Sequence, residues 1–157
     1  MNEEKINRVI SLHGYVSRLT EENEQLVSNN QTLISKNEKL ENEIEQYTEM
    51  IEQIRNGVNS LDKSKTTMSN VNEEFNENYS SESQRAKNIN TNINNAITDT
   101  SGLISKLNGV IPEALGKIEE KRRKISNNKE IIDKNNRIID SNNESIESAR
   151  NEIWYLS

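Results

Sequence analysis

Hydrophobic residues return at every seventh position through most of the chain, in two separate series. The first series consists of Leu12, Leu19, Leu26, Leu33, Leu40, Tyr47, Ile54, Leu61, Met68 and Phe75. The second series is isoleucine alone and consists of Ile104, Ile111, Ile118, Ile125, Ile132, Ile139, Ile146 and Ile153. A seven-residue repeat, whose apolar positions are named a and d, keeps one side of a helix against a partner helix. The pattern therefore predicts two long helices that pack along a coiled-coil seam.

Each half of the chain also has asparagine at the same seam position in three consecutive heptads. If the leucine series occupies position d and the isoleucine series position a, the asparagines at the other seam positions are Asn23, Asn30 and Asn37, then Asn128, Asn135 and Asn142. In an antiparallel pair an a residue of one helix faces a d residue of the other. The alignment that pairs the asparagines therefore sets Asn23 opposite Asn142, Asn30 opposite Asn135 and Asn37 opposite Asn128. The two residue numbers of each pair sum to 165. The same sum predicts a turn centred between Glu82 and Ser83, where both series lapse.

These six asparagines are unexpected in a seam, because polar seam residues cost stability. A buried asparagine fixes the register of a coiled coil, and we predict this role for all six. Two alternatives stay open. The layers could loosen the middle of the hairpin so that a partner helix can enter, and an asparagine-rich coding bias could contribute to their number.

Glycine and proline predict interruptions in both helices. Asn56–Gly57 weakens the first helix, and Asn108–Gly109 with the following Pro112 is a stop and restart signal in the second. In the predicted register the two dipeptides lie side by side. We therefore expect an all-α, elongated antiparallel helical hairpin with breaks near residues 56–57 and 108–112. The expected parts are a first helix starting at Asn2 or Glu3, a stalk of residues 3–56 with 110–157, and a head and turn of residues 57–109.

The composition fits a narrow seam better than a globular core. Hydrophobic residues make up 31% of the chain and charged residues 29%, and the mean hydropathy is −0.96. The sustained periodicity argues against disorder, and the absence of cysteine leaves no disulfide framework or thiolate metal site. Neither a signal-peptide core nor a membrane span is evident. We expect a cytoplasmic protein, or one exported without a cleaved signal peptide, with no direct membrane insertion.

The chain offers little for catalysis or for nucleic-acid binding. His13 is the only histidine and falls at position e, beside the seam, while the carboxylates are spread along solvated helix faces. The basic run of residues 121–124 lies level with Glu41, Glu43 and Glu45 in the predicted register, so we expect it to pair within the hairpin. It has no interleaved aromatic residues of the kind that nucleic-acid surfaces use. We predict no enzyme, no metal, no cofactor and no nucleic-acid partner.

Apolar residues outside the seam are the best guide to partners. Val27 and Ile34 occupy successive e positions, and Ile131 and Ile138 occupy successive g positions, all beside the asparagine layers. A helix in a larger bundle needs such a widened apolar stripe. We predict that these four residues dock further helices, from a second copy or from another protein. The alternative is that they only broaden the seam of the hairpin itself.

Aromatic residues supply two more candidate contacts. Trp154 and Tyr155 lie off the seam in the last turn, and such side chains are enriched in binding hot spots. They either bind a partner or cap the end of the hairpin around Ile10 and Tyr15. Phe75 and Tyr79, beside the predicted turn, form the third candidate contact.

An acidic, cysteine-free hairpin with a polar turn resembles the WXG-type helical hairpins of type VII secretion. More closely, it resembles the small α-helical proteins encoded beside LXG toxins in Gram-positive bacteria, which bind the helical N-terminal region of the toxin. Residues 76–82 stand where a WXG protein has Trp-x-Gly. The Tyr-x-x-x-Asp/Glu export signal is missing, because the residues four after Tyr15, Tyr47 and Tyr79 are Leu19, Ile51 and Ser83.

The resemblance implies an adaptor, chaperone or targeting factor that helps to direct a toxin to export. Its expected partner is another α-helical protein. The competing hypothesis is a structural or scaffolding coiled coil that associates with copies of itself.

Overall fold

The computed structural model describes residues 3–79 and 83–157. Two helices account for nearly all of them, α1 (Glu3–Asn78) and α2 (Gln84–Leu156), and the described residues contain no strand. The helices pack against each other in opposite directions. The prediction of an all-α antiparallel helical hairpin is therefore confirmed.

Local hydrogen bonds terminate α1 and cap the start of α2. The amide of Tyr79 donates to the carbonyl of Phe75 at 2.9 Å at the end of α1. Ser83 caps α2, because its hydroxyl accepts a 3.0 Å hydrogen bond from the amide of Ala86 and its carbonyl accepts one from Lys87 at 3.1 Å. This is the usual role of serine at a helix N-terminus. The turn was predicted to be centred between Glu82 and Ser83, and Glu82 lies outside the described residues.

The start of α1 agrees with its sequence. The helix begins at Glu3, and its first turn contains the carboxylates of Glu3 and Glu4, which interact favourably with the partial positive charge of a helix N-terminus. Asn2, the other predicted start, lies outside the described residues.

The predicted breaks near residues 56–57 and 108–112 are wrong, because both helices continue through them. Within the described part of the chain no glycine has a positive φ, and Pro112 lies inside α2. An interior proline costs about 3 kcal/mol and a glycine about 1 kcal/mol relative to alanine. The adjacent seam offsets this cost, since Ile51, Ala114 and Ile118 form a buried cluster beside Pro112.

The chain divides into two compact units. Unit 1 comprises Met1–Asn42 and Lys121–Ser157, and unit 2 comprises Glu43–Glu120. The division expected at residues 56–57 and 108–109 falls within unit 2. The division into a stalk and a head stays a prediction.

Hydrogen bonds between the helices establish the register of unit 1. The side-chain amide of the second asparagine donates to the side-chain oxygen of the first in three layers: Asn142 to Asn23 at 2.9 Å, Asn135 to Asn30 at 2.8 Å, and Asn128 to Asn37 at 2.7 Å. These are the predicted pairs. The apolar layers around them are buried at Leu12, Leu19, Leu33, Ile125, Ile146 and Ala149.

Unit 2 has the same register. Asn72 donates to the side chain of Asn94 at 3.1 Å. The numbers of these two residues sum to 166, as do those of Asn23 and Asn143, which are bonded in unit 1. The side-chain oxygen of Asn72 is buried without a hydrogen-bond partner. Ile51 and Ala114, whose numbers again sum to 165, lie in the buried cluster.

Candidate interaction surfaces

The hairpin has one open face on each side of its seam. In an antiparallel pair the e positions of both helices flank one side and the g positions flank the other. We call these sides the e face and the g face. Asn143, at position e, bonds to Asn23 across the e face, and Arg8 bonds to Glu152, both at position g, across the g face.

The asparagine layers extend towards the e face of unit 1. Asn23 accepts from Asn142 and donates to Asn143 at 2.9 Å, and Asn30 accepts from Asn135 and donates to Asn136 at 2.9 Å. Each of these two layers is therefore a chain of three amides that ends at an exposed e residue.

The e face of unit 1 contains a groove of about 520 Å³ beside these amides. Its apolar lining consists of Val27 on α1 and the seam residues Ile139 and Ile146 on α2. Glu24 lies on the α1 side and Arg150 on the α2 side. The groove thus combines an apolar floor with opposite charges on its two walls.

The four predicted docking residues do not form one surface. Val27 and Ile34 lie exposed on the e face, whereas Ile131 lies exposed on the g face. Ile138 is also on the g face but is half-buried, so it is less accessible to a docking helix than the other three. The cause is geometric, because e and g lie on opposite sides of the seam.

The g face of unit 1 is mixed in character. Two g residues lie level when their numbers sum to 160, as those of Arg8 and Glu152 do. By this rule Ile131 is level with Asn29, and Ile138 is level with Glu22. Each isoleucine therefore has a polar neighbour on α1.

An ion pair, which the sequence did not indicate, lies at the open end of this face. Nε and Nη2 of Arg8 donate to the two carboxylate oxygens of Glu152 at 2.7 and 3.0 Å. This hydrogen bonding raises the pKa of Arg8 and lowers the pKa of Glu152, and the mutual attraction of the charges acts in the same directions. Both side chains remain exposed to solvent, so the pair fixes orientation more than it stabilises the fold.

The predicted aromatic contacts are largely open to solvent. Trp154 and Tyr155 are 74% and 79% exposed, and their rings meet edge to face at 5.1 Å. Phe75 and Tyr79 stack at 5.0 Å beside the turn, with Tyr79 exposed and Phe75 half-buried. Trp154 and Tyr155 are therefore open to solvent, whereas Phe75 and Tyr79 line a cavity of about 380 Å³ together with Ala86 and Ile89 of α2.

A further surface, which the sequence patterns did not lead us to expect, lies on the g face of unit 2. Eight g residues form four level pairs there, none of them charged: Met50 with Val110, Gly57 with Leu103, Ser64 with Ala96, and Val71 with Ile89. We call these eight residues the apolar ladder. The sequence does carry a signal for it, since Ile89, Ala96, Leu103 and Val110 are themselves spaced by seven.

Other kinds of site find little support in residues 3–79 and 83–157. Within these ranges no group of three or more His, Cys, Asp or Glu residues could hold a metal ion. His13 is exposed. None of the helices in the same part of the chain is long and apolar enough to cross a membrane.

Comparison with known proteins adds no relative. No family model, no curated protein and no solved structure matches the chain. The two-helix architecture is consistent with the resemblance to small type VII-associated hairpins, and that likeness is one of architecture.

Proposed function

We propose that this protein is a non-enzymatic interaction module that binds an α-helix of another protein. The observation that carries the proposal is the groove on the e face of unit 1, where Val27, Ile139 and Ile146 offer apolar contact to a third helix. Helix-in-groove recognition uses such a floor to hold the apolar side of an amphipathic helix.

Polar groups around the groove would orient the bound helix. Glu24 and Arg150 on opposite walls favour a partner with a basic edge on one side and an acidic edge on the other. The exposed amides of Asn136 and Asn143 can bond to polar side chains at the partner's edge.

The specific role we propose is that of an adaptor or targeting factor for a toxin exported by type VII secretion. Its basis is the hairpin architecture together with the resemblance to proteins encoded beside LXG toxins. The helical N-terminal region of such a toxin is the expected occupant of the groove.

Affinity purification from the native host, followed by mass spectrometry, tests this proposal. Val27→Asp should abolish capture of a helical partner encoded next to this chain. Ile131→Asp is the matched control, because Val27 and Ile131 are each 44% exposed but lie on opposite faces. If both variants capture the partner equally, the groove is not the binding site.

The second candidate function is a structural coiled coil that associates with copies of itself. The apolar ladder on unit 2 favours it, because this surface is wide and uncharged. It requires no toxin and no secretion system.

A further inference from the structure

The apolar ladder differs from the opposite face of the same unit. Its exposed members are Val71, Ile89, Leu103 and Val110, and the eight ladder positions carry no charge. The e positions of the same stretch include Arg55, Asp62 and Lys87, with Leu115 as the one large apolar residue among them. The apolar character therefore belongs to one face.

The seam is incompletely covered beneath the half of the ladder towards Val71 and Ile89, whereas Ile51 and Val58 beneath the other half are buried. Among residues 59–79 and 83–113 of the described chain, none is buried, although the seam there includes Leu61, Met68 and Phe75. The equivalent d residues Leu12 and Leu19 of unit 1 are buried. Because d adjoins g on a helix, a layer placed on the g face would cover the exposed edges of these seam residues.

We propose that the apolar ladder is a dimerisation surface whose occupant is the ladder of a second copy. The two copies of unit 2 then form a four-helix bundle, in which positions g and d of all four helices share one core.

The dimensions of the ladder fit a second hairpin. From Ile89 to Val110 it extends about 32 Å along α2, and two helices side by side are about 20 Å wide. One protomer would then bury roughly 600 Å², and the pair roughly 1,200 Å², which reaches the lower limit for specific interfaces. A single docked helix, about 10 Å wide, would cover only about half of the ladder.

Charges at the edge of the ladder complement each other in a two-fold arrangement. Glu74 on α1 and Arg85 on α2 both occupy position c, next to g, at nearly the same level, and both are exposed. A two-fold axis parallel to the helices places α1 of one protomer against α2 of its partner. Glu74 of each protomer then lies beside Arg85 of the partner subunit, which gives two equivalent ion pairs.

This dimer is independent of the helix partner proposed above. The ladder lies on the g face of unit 2, whereas the groove lies on the e face of unit 1. Val27→Asp should leave the dimer intact, and a ladder variant should still capture the partner.

Sedimentation velocity on the full chain, from about 1 to 200 μM, tests the dimer. The wild-type chain, of 18.1 kDa, should sediment as twice that mass. Leu103→Glu should raise the dissociation constant at least about 30-fold, as loss of a hot spot does. Leu115→Glu is the matched control, because Leu103 and Leu115 are 46% and 47% exposed in the same helix, and it should change the constant less than about threefold.

Two outcomes would overturn the proposal. One is a wild-type chain that stays monomeric across this range. The other is equal weakening by Leu103→Glu and Leu115→Glu. Circular dichroism checks that both variants keep their helix content.

A charge exchange tests the two-fold arrangement and does not alter the ladder. Glu74→Arg should weaken the dimer about two- to tenfold, the range expected for exposed ion pairs. The double variant Glu74→Arg with Arg85→Glu should restore wild-type association. Failure of the double variant to restore it would overturn the proposed axis.

Discussion

Asn135 donates a 2.8 Å hydrogen bond to the side chain of Asn30 in the centre of unit 1, and both residues are buried. Asn30 in turn donates a hydrogen bond to the side chain of Asn136. Shifting one helix by a heptad would keep two Asn–Asn pairs and leave one asparagine of each helix without its partner, for example Asn23 facing Ala149 and Asn128 facing Ile44. An unpaired buried amide costs about 1–3 kcal/mol, so the asparagines penalise a wrong alignment more than they stabilise the correct one.

This relationship predicts opposite effects for single and double replacements. Asn30→Leu alone should lower the free energy of unfolding by about 1–3 kcal/mol, because it leaves Asn135 buried without its partner. Asn30→Leu with Asn135→Ile should raise stability above the wild type, since an apolar layer replaces a polar one. Thermal unfolding followed by circular dichroism measures both effects.

Replacing all six asparagines, by leucine on α1 and by isoleucine on α2, should make the register less exclusive, because no shifted alignment then leaves a buried amide unpaired. Since the chain has no cysteine, pairs of cysteines can be introduced and cross-linked within one chain. One pair replaces Leu26 and Ile139, which are level in this register, and the other replaces Leu26 and Ile146, which are level after a shift of one heptad. The wild-type background should cross-link only the first pair, whereas the sixfold replacement should cross-link both. If the sixfold replacement also cross-links only the first pair, the asparagine layers do not set the register.

Pro112→Ala is predicted to stabilise unit 2. Pro112 lies inside α2, where it has no amide hydrogen to donate to the carbonyl of Asn108. Alanine restores this bond and should add about 1–3 kcal/mol to the free energy of unfolding. Urea denaturation measures the gain, and an unchanged midpoint would mean that α2 is already broken at this level in solution.

The sequence predicted the register because both halves of the chain carry long seven-residue series with asparagines at matching places. It did not predict the continuity of α2 through Pro112. Local signals for a break were visible in the sequence, but the opposing contribution comes from residues far apart in the chain. Burial of a side chain such as Ile51 or Ile118 contributes about 1.5–3 kcal/mol, which is comparable to the cost of the proline.

The candidate surfaces were predicted less completely than the fold. Val27 and Ile131 were both identified as apolar residues outside the seam, and both are exposed. That they lie on opposite faces depends on the antiparallel geometry, which separates e from g. The apolar ladder depends on pairs such as Gly57 with Leu103, whose significance appears only when the two helices are set in register.

Gly109→Ala should stabilise α2 by about 0.5–1 kcal/mol, because glycine in a helix interior is less favourable than alanine by that amount. The backbone at Gly109 has no positive φ, and an added Cβ would meet no atom within 4 Å. The same reasoning applies to Gly57, which meets the same two conditions. Thermal unfolding of both variants checks the prediction, and destabilisation by either would indicate that the glycine is needed for a break in the helix.

The ion pair between Arg8 and Glu152 predicts a pH dependence at the end of unit 1. Because its bond to Arg8 lowers the pKa of Glu152 in the folded state, the associated stability is fully present above the pKa of the unfolded chain. It is lost as the pH falls through the lower pKa of the folded state. NMR titration of the Glu152 carboxyl carbon should show this lowered pKa, and Arg8→Gln should return it towards its usual range. Salt at about 1 M should also move the pKa of Glu152 towards its usual range, but by less than Arg8→Gln does. If the Glu152 titration is identical in the wild type and in Arg8→Gln, the pair does not form in solution.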